Sequence, residues 1–500
     1  MFCRAGAVEN MTIHSDSHAQ LRVGRSRAAL VGSIWSSINT FIPAIVSAIV
    51  FFACSKVLAP SEFGIVAYAA SLVSIGMALA PIGLEDAIIQ RKEIDRAHLD
   101  SVFTLLMIIG LLFYAIVLIM TPLISSWRDD ERIAQIMPVL GLVILFKMLM
   151  IVPNSLLTRK MNFRIMALRT TIASLLAGAT CLTILYLGYG LWALVAAQLT
   201  SVAANAIGAV LSVRWIPRLK FNIEALRQLL RYGLYSSGAR IISTFQSNEL
   251  LIGTFLGNYA LGIYNFAKRV FSIIDNTISG ALNSVSFSLL SSLQDEPEKR
   301  RDAFMLATFL SAGLSFPVFL GLLAVSQPLV DFIFGDKWTP AVPVLCSFCV
   351  FGLLGCIGIL QASLIKGAGY PEKWFTYMLV KKILTFAVIG ITLQFGIVVV
   401  AWSIALLSLL TWPFAVKMTL NILKVSSLTY LKSFFGPLLA GTLMVLAVTY
   451  LDTKLVNFGA FYSLCLQILA GGFVYFSLLL ILSYNQIQST SRIALKAFKS

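Results

Sequence analysis

The sequence predicts an all-α polytopic membrane protein with about fourteen transmembrane helices. The first observation is composition, because 58% of the 500 residues are hydrophobic and only 12% are charged, whereas soluble domains carry about 25% charged residues. The second is that apolar runs of about 18 residues or more recur from Ala28 to Leu482, each long enough to cross a bilayer as a helix. The runs are continuous rather than alternating, which argues against an outer-membrane barrel.

The third observation is the placement of the positive charges. Lysine and arginine concentrate in alternate inter-helix segments, with 29 of the 38 on one side of the predicted membrane and 7 on the other. Because cytoplasmic loops are enriched in these residues, both termini are expected in the cytoplasm. The net charge of +16 then reflects topology, and no nucleic-acid partner is expected. The predicted spans are 29–56, 63–84, 101–122, 133–153, 168–188, 191–213, 232–256, 260–291, 302–327, 340–365, 374–395, 398–417, 433–451 and 458–482.

An internal repeat predicts how these helices are grouped. LAPSEFGIVAYA at 58–69 matches LGNYALGIYNFA at 256–267, and YGLWAL at 189–194 matches FGIVVVAW at 395–402 at a similar offset. Both matches favour two pseudo-symmetric lobes of six helices each, followed by two further helices. The predicted organisation is a cytoplasmic N-terminal tail (1–27), an N-lobe with helices 1–6 (28–217), a C-lobe with helices 7–12 (218–430), helices 13 and 14 (431–483) and a cytoplasmic C-terminal tail (484–500).

The sequence contains no common catalytic pattern. It lacks the phosphate-binding GxxxxGK[ST] motif as well as G-x-S-x-G and H-E-x-x-H. Cys346 and Cys349 have a metal-site spacing, but their neighbours are apolar and no second pair follows, so we interpret them as packing residues. Neither an enzyme activity nor a cofactor or metal is expected. The short outward loops also disfavour an integral membrane glycan polymerase or ligase.

Polar stripes along predicted helices 7 and 8 mark the candidate functional residues. Polar groups are costly in lipid, so they usually face a bundle interior or a water-filled cavity. Serine and threonine also mediate close helix packing, which is the alternative interpretation. The candidate substrate-cavity residues are Arg240, Ser243, Thr244, Ser247, Asn248, Lys268, Arg269, Asn276 and Asn283. The candidates for coupling to an ion gradient are Asp275 and Glu249. The cationic members suit an anionic substrate group, since arginine offers a planar fork of donors to phosphate.

Several segments resemble one known family. They occur in the expected order at the inter-helix loops, across roughly residues 28–430. The segments include LAPSEFGIVAYA (58–69), IIQRKEIDRAHLDSVF (88–103), LLTRKMNFR (156–164), LGYGLWALVAAQL (187–199), FNIEALRQLLRYG (221–233), LGNYALGIYNFAKRV (256–270), IFGDKWTPAVPVL (333–345) and LIKGAGYPEKW (364–374). The chain resembles the polysaccharide transporter family, the Wzx-like exporters of the multidrug/oligosaccharidyl-lipid/polysaccharide flippase superfamily.

The resemblance implies a function. Such proteins are expected to move an undecaprenyl-diphosphate-linked oligosaccharide from the inner to the outer leaflet of the bacterial cytoplasmic membrane by alternating access. It also implies a central cavity lined by helices 1, 2, 7 and 8, and work alongside a polysaccharide polymerase and export machinery. Three alternatives stay open: a cation-coupled exporter of small molecules from the same superfamily, an integral membrane glycan polymerase or ligase, and a scaffold of a glycan assembly complex that transports nothing.

Overall fold

A computed structural model describes residues 25–213, 215–230, 233, 237, 247–292, 297–455, 458–484, 486 and 488, with side chains described outside 25–40, 247 and 281–292. The described residues form helices, short 3₁₀ turns and connecting segments, without a strand among them. The helices are α1 Arg25–Val57, α2 Pro60–Leu79, α3 Leu84–Gln90, α4 Arg96–Arg128, α5 Glu131–Arg159, α6 Phe163–Tyr186, α7 Trp192–Leu211, α8 223–230, α9 Ser247–Ser292, α10 Pro297–Phe334, α11 Val342–Gly367, α12 Pro371–Thr392, α13 Ile397–Leu423, α14 Ser427–Lys454 and α15 Ala460–Leu482. The 3₁₀ turns are Asp336–Ala341 and Leu393–Phe395.

Twelve helical segments of the described chain are long and apolar enough to cross a bilayer. This confirms a helical, polytopic membrane protein. The predicted spans 29–56 and 232–256 extend beyond the residues or side chains that are described, so the number fourteen and the cytoplasmic termini stay predictions. The second predicted span, 63–84, differs in its bounds, since α2 ends at Leu79. Pro81 follows and lacks the N–H that would continue the helix.

The chain divides into two compact units. The first comprises Met1–Leu58 and Ile65–Gln246, and the second comprises Ala59–Gly64 and Ser247–Ser500. A short piece from the beginning of α2 is therefore grouped with the second unit. The predicted lobe boundaries after residues 217 and 430 remain predictions.

In the first unit, α4 packs on α5, α6 on α7, and α1 on α6. Side chains such as Leu106, Leu140 and Ile144 are fully buried where these helices meet. The C-terminal end of α3 is fastened by Arg159 of α5. Its guanidinium donates to the carbonyl oxygen of Ile88 at 3.0 Å and to two further carbonyls after it. These bonds satisfy carbonyl groups that a helix end leaves without an intrahelical partner.

The turn between α4 and α5 is stabilised by Asp130, which caps α5. Its carboxylate accepts from the backbone N–H and the guanidinium of Arg132, the latter at 2.9 Å. Burial of the carboxyl opposes ionisation, but the Arg132 hydrogen bonds outweigh it and hold the pKa of Asp130 below its ordinary value. The cap is therefore present at neutral pH and is lost only as acid protonates this carboxylate.

An irregular segment, 215–222, follows α7 and is fastened along the first turns of α4. The indole N–H of Trp215 donates to the Asp100 carboxylate at 3.1 Å, and its ring packs edge-on against Phe103 with centroids 5.5 Å apart. Further bonds to this segment are Arg96 to the Ile216 carbonyl (3.3 Å), Thr104 to the Lys220 carbonyl (3.2 Å) and the Asn222 N–H to Ser101 Oγ (2.9 Å). The backbone of this segment is thus fixed by α4.

Aromatic packing and a close backbone approach hold Ala59–Gly64 in the second unit. Trp338 is fully buried, stacks on Phe266 with centroids 4.1 Å apart, and meets Phe63 edge-on at 5.3 Å. Beside this cluster, a Cβ built on Gly64 would overlap the carbonyl oxygen of Asn258. Backbones in such proximity pack through Cα–H···O contacts that only glycine leaves room for.

The same overlap occurs in the opposite sense, because a Cβ on Gly262 would collide with the carbonyl oxygen of Pro60. Pro60 and Gly64 precede Asn258 and Gly262 by the same 198 residues as the repeat found in the sequence. The two repeated segments therefore cross reciprocally, each glycine facing the carbonyl of its counterpart's helix start.

We predict that Gly64→Ala and Gly262→Ala each destabilise the protein by about 1–3 kcal/mol, because the added methyl group forces the two backbones apart. Thermal unfolding of the detergent-solubilised protein measures the effect as a lower midpoint temperature. Gly355→Ala is the matched control, since nothing lies within 4 Å of a Cβ at that helical position. Equal midpoints for all three variants would show that the crossing is looser than described.

Candidate functional site

The α9 segment reverses direction at Gly257. This residue has φ 84° and ψ 178°, a backbone conformation almost confined to glycine. A straight helix would hold two residues 19 positions apart about 28 Å from each other. The ammonium group of Lys268 instead bonds the carboxylate of Glu249, 19 residues earlier. The two arms of α9, before and after Gly257, thus lie antiparallel as a helical hairpin.

The ion pair lies well inside the membrane-spanning part of this hairpin. Glu249 precedes the turn by eight residues and Lys268 follows it by eleven, which places both roughly 12–16 Å from the turn. If the turn lies at one membrane surface, this distance places the pair towards the middle of a hydrocarbon core about 30 Å thick. The side chain of Glu249 is 9% exposed and that of Lys268 is 39% exposed. The side chain of Lys268 is therefore less enclosed by protein than that of Glu249.

Neighbouring polar groups complete this site. Tyr264 lies on the second arm, where its hydroxyl interacts with Asn248 and with the charge of Glu249. Lys382 of α12 is close enough to Lys268 for the two positive charges to repel. One carboxylate thus stands among two ammonium groups, so the site carries a local excess of positive charge.

The polar residues on the second arm of α9 differ in how far they are exposed. Asp275 accepts a hydrogen bond from Ser279 at 3.0 Å and lies near Cys356 of α11. Arg269 and Asn276 are exposed on this arm. Asp275 is therefore half-buried beside α11, whereas Arg269 and Asn276 are exposed.

The described residues cover part of the predicted site. Asn248, Glu249 and Lys268 are brought together. Ser247 and Asn283 are described in their backbone alone, and Arg240, Ser243 and Thr244 lie outside the described residues. Their assignment to a substrate cavity stays a prediction, as does ion coupling through Asp275 and Glu249.

A second polar region lies within the first unit. A cavity of about 280 Å³ opens between α1, α6 and α7. Its polar lining residues are Ser47, Ser174, Gln198 and Ser201. Ser47 belongs to a row of spaced serine and threonine residues in predicted helix 1 (Ser33, Ser36, Thr40 and Ser47), whereas the other three were not selected from the sequence. Gln198, Ser201 and Asn205 of α7 follow the same three- and four-residue spacing as the stripes of predicted helices 7 and 8, so this signal could have selected that face of the helix.

Arg169 is a further buried polar residue that the sequence did not single out. The charge count assigns it to the cytoplasmic side, which stays a prediction, and the structure places it inside α6 with only 8% of its surface exposed. Its side chain fills the space beside Gly208 of α7, where a Cβ would clash with it. The Nε and Nη1 atoms have no hydrogen-bond partner among the described residues. Its position near the predicted helix start concealed this burial.

Cys346 and Cys349 of α11 take part in helix packing. Cys346 lies 3.4 Å from the Ser326 hydroxyl, and Cys349 is buried. In the part of the chain that the structure describes, no group of three histidine, cysteine or acidic residues is arranged to hold a metal ion.

Comparison with known proteins supports the assignment that the motifs suggested. Residues 54–343 match the family model described as "Polysaccharide biosynthesis protein". The match covers more than half of the chain. The chain belongs to this family. The membership confirms the resemblance to polysaccharide transporters at the level of the family.

Full-length relatives agree with the family match. The succinoglycan biosynthesis transport protein ExoT of Rhizobium meliloti (strain 1021) is 29% identical over 87% of this chain and 88% of its own length. The teichuronic acid biosynthesis protein TuaB of Bacillus subtilis (strain 168) is 23% identical over 93% and 97%. The lipopolysaccharide biosynthesis protein WzxC of Escherichia coli (strain K12) is 25% identical over 71% and 73%.

Solved structures share the fold. A lipid II flippase MurJ in an inward closed conformation superposes with a TM-score of 0.74 at 17% identity, covering 90% of this chain and 99% of the flippase. An inward-facing MATE family multidrug resistance transporter of the MOP superfamily gives 0.60 at 18% identity over 79% and 99%. At these identities the likeness concerns the fold alone.

We predict that Glu249 and Lys268 are energetically coupled. Glu249→Gln leaves an ammonium group without its carboxylate, and Lys268→Met leaves a buried carboxylate without its cation. A coupling energy of about 1–2 kcal/mol is expected, between the values for exposed and fully buried pairs, because Lys268 is partly exposed. A double-mutant cycle on thermal or denaturant unfolding measures it. The reversed pair Glu249→Lys with Lys268→Glu is expected to recover part of the loss, and additive single effects would contradict the coupling.

Proposed function

We propose that this protein is a transporter that moves an undecaprenyl-diphosphate-linked oligosaccharide from the inner to the outer leaflet of the bacterial cytoplasmic membrane by alternating access. The observation that carries the proposal is membership of the polysaccharide biosynthesis family in a chain with twelve described membrane-crossing segments. The name of the relative from Rhizobium meliloti, a succinoglycan biosynthesis transport protein, supports export of a glycan. The proposal treats the chain as a carrier and not as an enzyme.

The charge distribution of the α9 hairpin supports an anionic substrate group. Lys268 and Lys382 place two ammonium groups near one carboxylate, and Arg269 is exposed on the same arm. A diphosphate carries several acceptor oxygens that a guanidinium binds in a bidentate manner. We assign Arg269 and Lys268, together with Arg240 from the sequence prediction, to the diphosphate of the lipid carrier.

Deletion of the gene in the bacterium of origin tests the transport step. Lipid-linked repeat units are expected to accumulate on the inner leaflet while the surface polymer is lost. Extraction of the lipid-linked fraction, with an assay of its accessibility from outside in spheroplasts, measures this. Exported single repeat units would instead indicate a polymerase, and unchanged polymer with altered drug accumulation would indicate a small-molecule exporter.

Arg269 provides the residue-level test. In proteoliposomes, Arg269→Ala is expected to slow translocation of a fluorescent lipid-diphosphate oligosaccharide by about tenfold, since hydrogen bonds to charged groups contribute about 1.5–3 kcal/mol. Arg269→Lys retains the charge without the fork and is expected to be intermediate. Lys373→Ala, an exposed lysine at the start of α12, is the control. A normal rate for Arg269→Ala would remove this residue from the site.

We also propose that Glu249 and Asp275 couple transport to a cation gradient. Both are acidic side chains located deep within one hairpin, and acidic residues within membrane spans commonly serve proton or ion pathways. Translocation in proteoliposomes is then expected to accelerate under an imposed proton or sodium gradient in the wild type. The acceleration is expected to disappear in Asp275→Asn. Equal rates with and without either gradient would overturn the coupling.

A further inference from the structure

The segment that follows α7 exposes apolar side chains although it lies outside the membrane-crossing helices. Ile216, Leu219, Phe221 and Ile223 are 72%, 77%, 50% and 73% exposed. The crossing helix before them ends at Leu211. Four large apolar groups this exposed within eight residues are unfavourable in water, so their surroundings are expected to be partly apolar.

Basic side chains alternate with these apolar ones. Arg218, Lys220 and Arg227 are exposed in the same stretch. Between residues 214 and 231 the sequence carries five lysines and arginines and a single acidic residue, Glu224. Apolar side chains interleaved with cations are typical of protein segments that lie in the headgroup region of a bilayer.

The structure fixes this stretch at the depth where a bilayer changes from polar to apolar. Its backbone is bonded to Arg96, Ser101 and Thr104 in the first turns of α4. The uninterrupted apolar part of α4 begins at the next residue, Leu105. Segment 215–222 therefore lies at the junction between the polar start of α4 and its hydrocarbon-spanning part.

The exposed apolar side chains of this segment cannot be buried by turning α8 over, because the opposite face of α8 is already packed. In α8, Leu226 and Leu229 are buried, so this short helix already uses one face for packing. Ile223 and Arg227 remain on its other face. The exposed side chains between Ile216 and Arg227 thus remain outside the packing of α8, and hydrogen bonds to α4 hold the backbone of 215–222 in place.

We propose that residues 216–227 form a docking surface for the headgroups of anionic phospholipids, with the apolar side chains inserted between acyl chains. The chemistry recognised is a phosphodiester with net negative charge, as in phosphatidylglycerol, bound by Arg218, Lys220 and Arg227. The surface anchors the connection between α7 and α9 to the leaflet that holds the basic loops. Binding of lipid here does not depend on which substrate the protein transports.

Hydrogen–deuterium exchange of the full-length protein in nanodiscs tests this. Phosphatidylcholine nanodiscs are compared with nanodiscs that also contain phosphatidylglycerol. The peptide covering 215–224 is expected to exchange about tenfold more slowly with the anionic lipid, since its basic side chains are attracted to the negatively charged surface. High salt is expected to remove the difference.

Three variants separate the contributions. The triple variant Arg218→Gln, Lys220→Gln, Arg227→Gln is expected to lose the protection by phosphatidylglycerol. The control triple variant Lys366→Gln, Lys424→Gln, Lys432→Gln removes the same charge from other exposed positions and is expected to keep it. Leu219→Ser with Ile223→Ser preserves all charges and is expected to weaken protection in both kinds of nanodisc.

Three results would overturn the proposal. Equal exchange in the two nanodiscs would show that the surface does not select anionic lipid. If the control triple variant loses the protection to the same extent, the effect comes from the overall charge of the protein and not from this surface. Protection that occurs in native membranes but in neither nanodisc would assign the surface to a protein partner. Unfolding midpoints of all variants, measured in parallel, establish that each is folded.

Discussion

The constraint on which the structure depends is the cost of an unsatisfied polar group in hydrocarbon. Backbone groups meet it by forming helices, which is why the described residues contain no strand. Charged side chains meet it by pairing, as Glu249 and Lys268 do. Their pairing depends on the reversal at Gly257, because only antiparallel arms bring the two residues to the same depth. The ion pair, the turn and the helix packing of this hairpin therefore together reduce the cost of placing charged groups in hydrocarbon.

Close packing in lipid draws on small residues, since apolar side chains gain little by leaving lipid for protein. The crossing of Gly64 with Gly262 shows this, and the buried Trp338 beside it contributes the aromatic area that the glycines lack. The sequence repeat therefore has a physical meaning beyond common descent of two segments. Each copy supplies the groove that the backbone of the other occupies.

Much of the fold was predictable from the sequence, because every segment that crosses a lipid bilayer must contain a long uninterrupted run of apolar residues. The motifs likewise predicted the family. The bounds of α2 were not predicted, since Pro81 ends that helix inside a continuous apolar run. The burial of Arg169 was not predicted, because it depends on Gly208, a neighbour distant in sequence. The pairing of Glu249 with Lys268 depends on the turn at Gly257. The spacing of polar and apolar residues in the sequence does not predict the geometry of that turn. Polar spacing selected α9, but it could not say which polar residues meet.

The single-residue turn of the α9 hairpin limits how that hairpin can move. With Gly257 alone between the two helical arms, there is no slack to let one arm slide along the other. Axial displacement of either arm must carry the second with it, and the carboxylate and ammonium at mid-depth travel together. Movement of this hairpin would therefore proceed by tilting or rotation of both arms together, so that Glu249 and Lys268 stay next to each other throughout.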